Sequence, residues 1–386
     1  MKKFLFYIFK VPMFIIVSLI PKQKNIWIFG AWFGKSISDN PKYLYQYLRD
    51  NNPEIKPIWI TKNKILLNNT DGFDVYYYKS FKGIYYQVFA SMAFVTHSIA
   101  TDFNSPFIGL NTKRILLWHG APLKKIGYDD EKYTTKNHIA RRYHRLFSFL
   151  TNNIYNYVIS NGNICSRSFL TAFNLKNENI LLTGFPRNDV FSNRDYMGDK
   201  RLKAIYMPTF RGAIGEEVDL FDRYGFDISF IDEVLSNSNI ELTIRVHPAN
   251  SPSSELSNKI ALSTSIKVSL VSDIYEEIDN YDVLITDYSS IMFDFAITKR
   301  PIIFAPFDIE RYLLKDRELY IKYEDIVGND FSRSWNDILD ALLKLKSNPN
   351  AFVFDSLVYR YHDEKLEEER MFSARLTKVL TNLNCT

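Results

Sequence analysis

The sequence has only two cysteines, Cys165 and Cys385, in 386 residues. They do not have the spacing of a metal-binding pair, and they are too few to form the disulfide framework of a small secreted domain. The cysteine content therefore excludes a disulfide-stapled protein and favours a reducing compartment.

Several short motifs with known chemistry are also missing. There is no G-x-G-x-x-G dinucleotide motif, no P-loop, no C-x-x-C pair and no G-x-S-x-G nucleophile elbow. The carboxylates are not arranged as a metal site, so a divalent metal is compatible with the sequence but not indicated by it. The net charge is only +4, and no basic stripe is interleaved with aromatic residues, which argues against a nucleic acid partner.

The apolar run near the amino terminus is short for a membrane span. Residues 4–20 are interrupted by Lys10 and Pro12, and lysines flank the run on both sides. Without an A-x-A cleavage site, a removed signal peptide is not expected. The pattern favours a helix that lies peripherally on the cytoplasmic side of the cell membrane, attracted to anionic lipid. The alternative is a core helix of the first domain with a basic face.

The length and the order of elements predict two α/β domains. A chain of 386 residues can bury two cores, and short apolar runs alternate with helical segments, which predicts parallel, doubly wound sheets. We divide the chain into a membrane-associating segment (1–24), two Rossmann-like domains (25–195 and 196–370) and a tail (371–386). Strands are predicted at residues 25–30, 58–61, 75–78, 93–96, 114–118, 157–160, 180–183, 204–207, 242–246, 268–270, 283–286 and 301–305.

His119 is the first candidate catalytic residue. It follows an apolar run at residues 115–118 that is typical of a strand buried on both faces, and Gly120 and Pro122 predict a turn into a helix. Open α/β sheets place their chemistry at the carboxyl ends of strands. Lys124 adds positive charge, so the site suits proton transfer on a phosphate-bearing reactant. The alternative is a loop histidine that only bonds its neighbours.

Asp287, Ser289 and Ser290 form a second candidate site. They lie where the strand 283–286 turns into a predicted helix at residues 291–297, so hydroxyl and backbone N–H groups converge. Such a turn binds phosphate through unpaired donors and the helix dipole. The alternative is simple helix capping, since Asp and Ser are preferred capping residues.

His247 and Arg245 end another predicted strand. A histidine in this place can donate to a phosphate oxygen or protonate a leaving group, although an isolated histidine is more often structural.

Two further strand ends carry polar residues. Arg211 follows Thr209, and its planar fork fits a pair of phosphate oxygens; the alternative is a surface ion pair with a nearby glutamate. Arg187 and Asp189 are candidates for substrate binding from the first domain, or residues that close a turn. The shared placement of all these groups at strand carboxyl ends is the informative feature.

Together these motifs resemble one known family, the CDP-glycerol glycerophosphotransferases, which prime and polymerise teichoic acids and related capsular polymers. The resemblance covers roughly residues 25 to 370 and rests on five segments: residues 118–129 (WHGAPLKKIGYD), 184–189 (GFPRND), 206–211 (YMPTFR), 245–248 (RVHP) and 287–294 (DYSSIMFD).

The resemblance implies a GT-B-like architecture, with two Rossmann-like domains and an active site in the cleft between them. It implies that His119 is the general base and His247 the second essential histidine, and that Arg211, Ser289 and Ser290 bind the nucleotide phosphates. The donor would be a CDP-polyol such as CDP-glycerol or CDP-ribitol, and the acceptor a hydroxyl of a lipid-linked or polymeric molecule at the cytoplasmic membrane surface.

Two other functions are compatible with the sequence. One is a GT-B glycosyltransferase that uses a nucleotide sugar in cell-surface polysaccharide synthesis. The other is a non-catalytic membrane scaffold, which would have no need of histidines, basic groups and hydroxyls at five strand ends. The polyol, the acceptor and the oligomeric state are left open by the sequence.

Overall fold

The computed structural model describes residues 2–68, 72–130, 155–192, 201–209, 211, 219–246, 254–315, 318–348, 359–363, 366 and 371–385. The described residues form two units. The first unit comprises residues 1–119, 126–189 and 363–386, and the second comprises residues 120–125 and 190–362. The sequence set residues 371–386 apart as a tail, whereas in the structure they belong to the first unit.

The first unit is built on a parallel sheet whose described strands have the order β3-β2-β1-β4-β5-β6-β7. The central strands are buried, which explains their continuous apolar runs. The strands are β1 (Gln23–Gly30), β2 (Lys56–Thr61), β3 (Val75–Tyr77), β4 (Ala90–Val95), β5 (Lys113–Leu116), β6 (Tyr157–Ser160) and β7 (Ile180–Leu182).

The second unit repeats this plan with a smaller parallel sheet. Its described strands have the order β10-β9-β8-β11-β12. They are β8 (Leu202–Met207), β9 (Ile240–Ile244), β10 (Ile266–Val268), β11 (Val283–Thr286) and β12 (Ile302–Phe304).

Helices alternate with the strands in both units. In chain order they are α1 (Lys2–Leu19), α2 (Asp39–Asn51), α3 (Phe81–Phe89), α4 (Ile99–Asp102), α5 (Asn163–Ala172), α6 (Ile228–Asn237), α7 (Ser254–Leu262), α8 (Ile291–Ala296), α9 (Ile309–Lys315), α10 (Tyr323–Val327), α11 (Trp335–Ser347) and α12 (Phe372–Cys385). The prediction of two Rossmann-like, doubly wound α/β units is confirmed.

Aromatic side chains fill the centre of each unit. In the first, Phe29 of β1 stacks on Phe94 of β4 with ring centroids 4.6 Å apart. In the second, Trp335 of α11 packs against Tyr206 of β8 at 4.8 Å, and its indole N–H donates to the carbonyl of Leu220 at 2.9 Å. These buried contacts fix β1 against β4 in the first sheet and anchor β8 in the second.

Helix α1 presents one apolar face to the first unit and another to solvent. Phe14 and Val17 are buried, and the amine of Lys10 donates to the Ser105 hydroxyl at 3.4 Å. The exposed apolar residues are Met13, Ile15, Ile16 and Leu19. Within the described residues, none of the helices has the length and apolar character needed to cross a bilayer.

Candidate active site

The predicted site residues that the structure describes follow the carboxyl ends of strands in the two sheets. In each sheet the strand order reverses at one point, between β1 and β4 in the first unit and between β8 and β11 in the second. Loops leave a doubly wound sheet in opposite directions at such a switch point, which opens a crevice where ligands bind. Each unit therefore has its own candidate region.

His119 lies at the carboxyl edge of the first sheet, beyond the end of β5. Its Nδ1 lies 3.4 Å from the carbonyl oxygen of Thr96, and its half-buried ring stacks on Trp118 with centroids 4.1 Å apart. A carbonyl oxygen can only accept a hydrogen bond, so this contact favours the tautomer with the proton on Nδ1. Nε2 is then the proton acceptor of a neutral His119.

A second histidine, His97, lies against His119. It follows β4, and the two imidazoles stack with centroids 4.7 Å apart and 19° between their planes. The Thr96 hydroxyl lies 2.9 Å from Nδ1 of His97, and Phe33 covers the ring at 4.3 Å. Burial lowers the pKa of His97 to about 4, so the ring beside His119 is neutral at physiological pH.

The carboxylate of Asp102 holds this loop cluster in place. It accepts the backbone N–H groups of Phe33 at 2.9 Å, Thr96 at 3.0 Å and His97 at 3.1 Å. Burial raises its pKa to about 6, against the effect of the three N–H donors. Asp102 thus ties the loops after β1 and β4 together and fixes the carbonyl that orients His119.

Our sequence reasoning missed Thr96, His97 and Asp102. The predicted strand at residues 93–96 already placed His97 at a strand end, which was the available signal. Asp102 had no comparable signal, because its partners lie in two separate loops.

Backbone strain is concentrated in the same place. Trp32, Phe33 and Trp118 have φ values of 46°, 62° and 51°, which are costly for bulky residues. Trp118 was predicted to lie in a strand, but β5 ends at Leu116, and this positive φ turns the chain so that the Trp118 ring packs on His119. Strained backbone of this kind is typical of functional sites.

In the second unit, a buried ion-pair network joins the ends of β8 and β11. Asp287 accepts the N–H of Thr209 at 2.8 Å and pairs with the guanidinium of Arg211. Two other nitrogens of Arg211 bond both oxygens of Asp308, at 3.1 and 2.7 Å. Arg211 is 3% exposed, so it is not a surface residue, and its fork holds carboxylates in this structure. A phosphate contact by Arg211 would require an exchange of these partners.

Ser289 and Ser290 lie next to this network and are half-buried. Neither hydroxyl has a hydrogen-bond partner within the described part of the chain, and the Ser290 side chain does not cap α8. Simple capping by Ser290 therefore does not describe the structure. Helix α8 has only six residues, so its dipole is small and a bound phosphate would depend mainly on the two hydroxyls.

The prediction that Pro122 begins a helix is wrong. Residues 120–125 are not helical; Lys124 forms an antiparallel bridge with Leu319, and the N–H of Lys125 donates to the carbonyl of Glu318 at 2.8 Å. These partners, far away in sequence, satisfy backbone groups that a helix would otherwise pair internally.

This pairing places Lys124 in the second unit. Its amine lies 5.0 Å from the ring centroid of Tyr312, which stacks on Tyr288 at 4.1 Å; Arg211 lies over both rings. The structure therefore brings Lys124 together with the Arg211 network. Gly120 and Pro122 lie in the same segment, and Gly120 has a φ of 133°.

Arg187 and Asp189 have partners inside the first unit. Arg187 forms a buried ion pair with Asp39 at 2.9 Å. Asp189 accepts the N–H groups of Phe372 and Ser373 at 2.7 and 3.0 Å, so it caps α12. Both side chains thus organise the first unit, and a role in substrate binding stays a prediction.

Arg245 follows β9 in the second unit. The guanidinium of Arg245 donates to the Ser269 hydroxyl at 3.0 Å and to the carbonyl of Val271. His247 lies outside the described residues.

Comparisons with known proteins show which family the chain resembles. The family model described as CDP-glycerol:poly(glycerophosphate) glycerophosphotransferase matches residues 12–369. A teichoic acid poly(glycerol phosphate) polymerase of Staphylococcus epidermidis is 31% identical over 80% of this chain, but the chain spans only 44% of that relative. A teichoic acid glycerol-phosphate transferase of Staphylococcus aureus is 29% identical over 88% of both proteins.

The fold also has a solved counterpart. The structure of the wall teichoic acid polymerase TagF covers 99% of this chain, and the chain covers 94% of it, with a TM-score of 0.70 and 24% identity. The likeness confirms the predicted fold class across both units.

The buried, neutral state of His97 predicts a pH-dependent stability. Because folding lowers its pKa from 6.5 to about 4, the unfolded chain binds a proton at pH 5 that the native chain does not. Between pH 7.5 and pH 5 the wild type should lose about 2 kcal/mol of unfolding free energy relative to a His97→Gln variant. Urea denaturation at both pH values measures this. Asp102 titrates in the opposite sense but is present in both proteins; a pH-independent difference would contradict the prediction.

If Arg211 has a structural role, its replacement should lower the free energy of unfolding even when no ligand is present. Replacing Arg211 by Met leaves Asp287 and Asp308 buried without their cation, which should cost about 3–5 kcal/mol. Arg245→Met, which removes a half-buried guanidinium bound to neutral groups, should cost only about 1–2 kcal/mol. Chemical denaturation of the two variants is the measurement. If Arg211→Met kept wild-type stability, the arginine would not have the structural role assigned to it.

Proposed function

The chain belongs to the CDP-glycerol:poly(glycerophosphate) glycerophosphotransferase family, and we propose that it transfers a polyol phosphate from a CDP-activated donor to an acceptor hydroxyl. The donor is CDP-glycerol or a related CDP-polyol such as CDP-ribitol, and CMP is released. The acceptor is a lipid-linked or polymeric molecule in teichoic acid or capsular polymer synthesis. The family match over residues 12–369 carries this proposal.

His119 acts as the general base. Its Nε2 takes the proton of the attacking hydroxyl while the new O–P bond forms at the β-phosphorus and the bond to the CMP oxygen breaks. A neutral imidazole with its proton on Nδ1 suits this step, and the contact with the Thr96 carbonyl supports that tautomer. The neutral His97 ring stacks on His119 and places no positive charge next to it.

The second unit supplies the groups that bind the phosphates. Ser289 and Ser290 have hydroxyls available for phosphate oxygens, and Lys124, whose amine lies near the Tyr312 ring, adds positive charge to the same unit. Arg245 and His247 are the other phosphate-binding residues in this proposal. Arg211 supports the site indirectly, because its ion pairs with Asp287 and Asp308 hold the ends of β8 and β11 together. As charge develops on the phosphoryl oxygens, preorganised donors of this kind lower the barrier.

The exposed face of α1 rests on the cytoplasmic side of the membrane in this proposal. The side chains of Ile15, Ile16 and Leu19 are more than half exposed, and Lys22 and Lys24 follow them in sequence. Apolar side chains next to lysines fit an interface of anionic lipid, where a lipid-linked acceptor would be reached.

Replacement of His119 by Gln tests the proposal. Loss of a general base should lower kcat for CMP release from CDP-glycerol by about 10²–10⁴, while the dissociation constant of the donor changes little. Calorimetric titration with CDP-glycerol measures donor binding separately from turnover. An equal loss of binding and turnover would contradict the assigned role.

The same assay should be run with CDP-ribitol and with nucleotide sugars as donors. Release of nucleotide from a sugar donor alone would instead indicate the glycosyltransferase function.

A further inference from the structure

A row of basic and aromatic side chains runs along the carboxyl edge of the first sheet and ends at His119. Because neighbouring strands are parallel, the residues that follow β3, β2, β1, β4 and β5 lie along one edge in that order. They are Tyr78 and Lys79 after β3, Lys62 and Lys64 after β2, Trp32 and Phe33 after β1, His97 after β4 and His119 after β5. We call this row the edge track. Its end strands are four spacings apart, which is about 19 Å.

Direct contacts connect the lysine end of the track. The amines of Lys79 and Lys62 lie 5.2 and 5.4 Å from the ring centroid of Tyr78. The N–H of Lys62 donates to the carbonyl of Gly34 at 2.6 Å, and the Lys62 amine donates to the carbonyl of Thr101. Lys62 is therefore held in place between β3 and the loop after β1.

Contacts also connect the other end. Phe33 precedes Gly34 and packs on His97, which stacks on His119. Trp32 and Phe33 are 39% and 45% exposed, although bulky aromatic side chains are usually buried. Their strained backbone holds the Trp32 ring 5.5 Å from His119 and the Phe33 ring against His97, instead of in the core.

The lysine end of the track is positively charged, whereas the buried carboxylates of Asp39 and Asp102 lie at the aromatic end. Residues 75–101 contain no Asp or Glu at all. Lys62, Lys64 and Lys79 make no salt bridge within the part of the chain that the structure describes. Lys64 and Lys79 are exposed, so their ammonium groups can meet an anionic ligand without losing a carboxylate partner.

We infer that the edge track binds an acceptor that already carries several phosphodiesters, such as the growing end of a polyol-phosphate chain. A single acceptor hydroxyl needs only the space next to His119, whereas this row extends over four strand spacings. Lysines at its far end meet successive phosphates, and Trp32 and Phe33 pack against the carbon chain between the phosphates and the reacting hydroxyl. The inference rests on the proposed function and specifies the acceptor class of the same site.

The test uses the full chain and the double variant Lys64→Glu/Lys79→Glu. The matched control is Lys176→Glu/Lys378→Glu, which makes the same charge change at exposed lysines of the first unit away from this edge. Binding of a defined, soluble oligo(glycerol phosphate) is measured without donor. Charge reversal should weaken binding by about tenfold or more, whereas the control should bind as the wild type does. Raised salt should weaken wild-type binding in the same direction.

A second arm measures CMP release from CDP-glycerol with two acceptors. With the oligo(glycerol phosphate) acceptor, charge reversal should raise KM and leave kcat close to the wild-type value; with free glycerol, the wild type and the variant should be alike. The neutral variant Lys64→Gln/Lys79→Gln should fall between the wild type and the charge reversal with the polymeric acceptor, and its unchanged activity with free glycerol excludes misfolding as the cause.

Two results would overturn the inference: unchanged oligo(glycerol phosphate) binding, or an equal loss with both acceptors. If polymer binding is unchanged, binding of the same variants to anionic phosphatidylglycerol vesicles is measured, and a loss there would assign the lysines to a membrane surface. Absence of CMP release by the wild type with every acceptor would refute the proposed function instead, and the donor-free binding arm would still decide whether the track binds the polymer.

Discussion

A buried carboxylate at the switch point of each sheet organises the candidate site of that unit. In the first unit Asp102 accepts three backbone N–H groups from the loops after β1 and β4. In the second, Asp287 accepts the N–H groups of Thr209 and Tyr288 and pairs with Arg211. Loops at a switch point lack the ladder bonds of the sheet, so a carboxylate that satisfies their N–H groups can hold an irregular backbone in one conformation. The positions of the reactive side chains depend on these two residues.

The buried carboxylate has a different role in each unit. Asp102 stabilises strained loops that place aromatic rings and His97 around His119, so the first unit presents a neutral imidazole in a defined orientation. Asp287 instead belongs to a buried ion-pair network with Arg211 and Asp308, next in sequence to Ser289 and Ser290. The hydroxyls of these two serines have no hydrogen-bond partner in the described residues. One unit thus suits proton transfer, and the other suits the binding of phosphate oxygens.

Much of the fold could be predicted from the sequence, because apolar runs and strand-end motifs are local signals. The predicted strands at residues 157–160 and 283–286 agree with β6 and β11 at every position. Structural features that depend on residues far away in sequence could not be predicted. The segment 120–125 pairs with residues 318–320 instead of forming a helix, and Asp189 caps α12, a helix that begins more than a hundred residues later. The same limit explains why His119 could be proposed from the sequence as a site residue, whereas Asp102 was found only in the structure.

The central claim is that the Thr96 carbonyl holds neutral His119 with its proton on Nδ1 and leaves Nε2 as the base. Nitrogen-15 NMR of the histidine side chains at pH 7.5, with His119→Gln to assign the signals, tests this most directly. The account predicts a protonated Nδ1 and an unprotonated Nε2 for His119 in the wild type. A His119 signal with the proton on Nε2, or a charged ring with both nitrogens protonated, would contradict it.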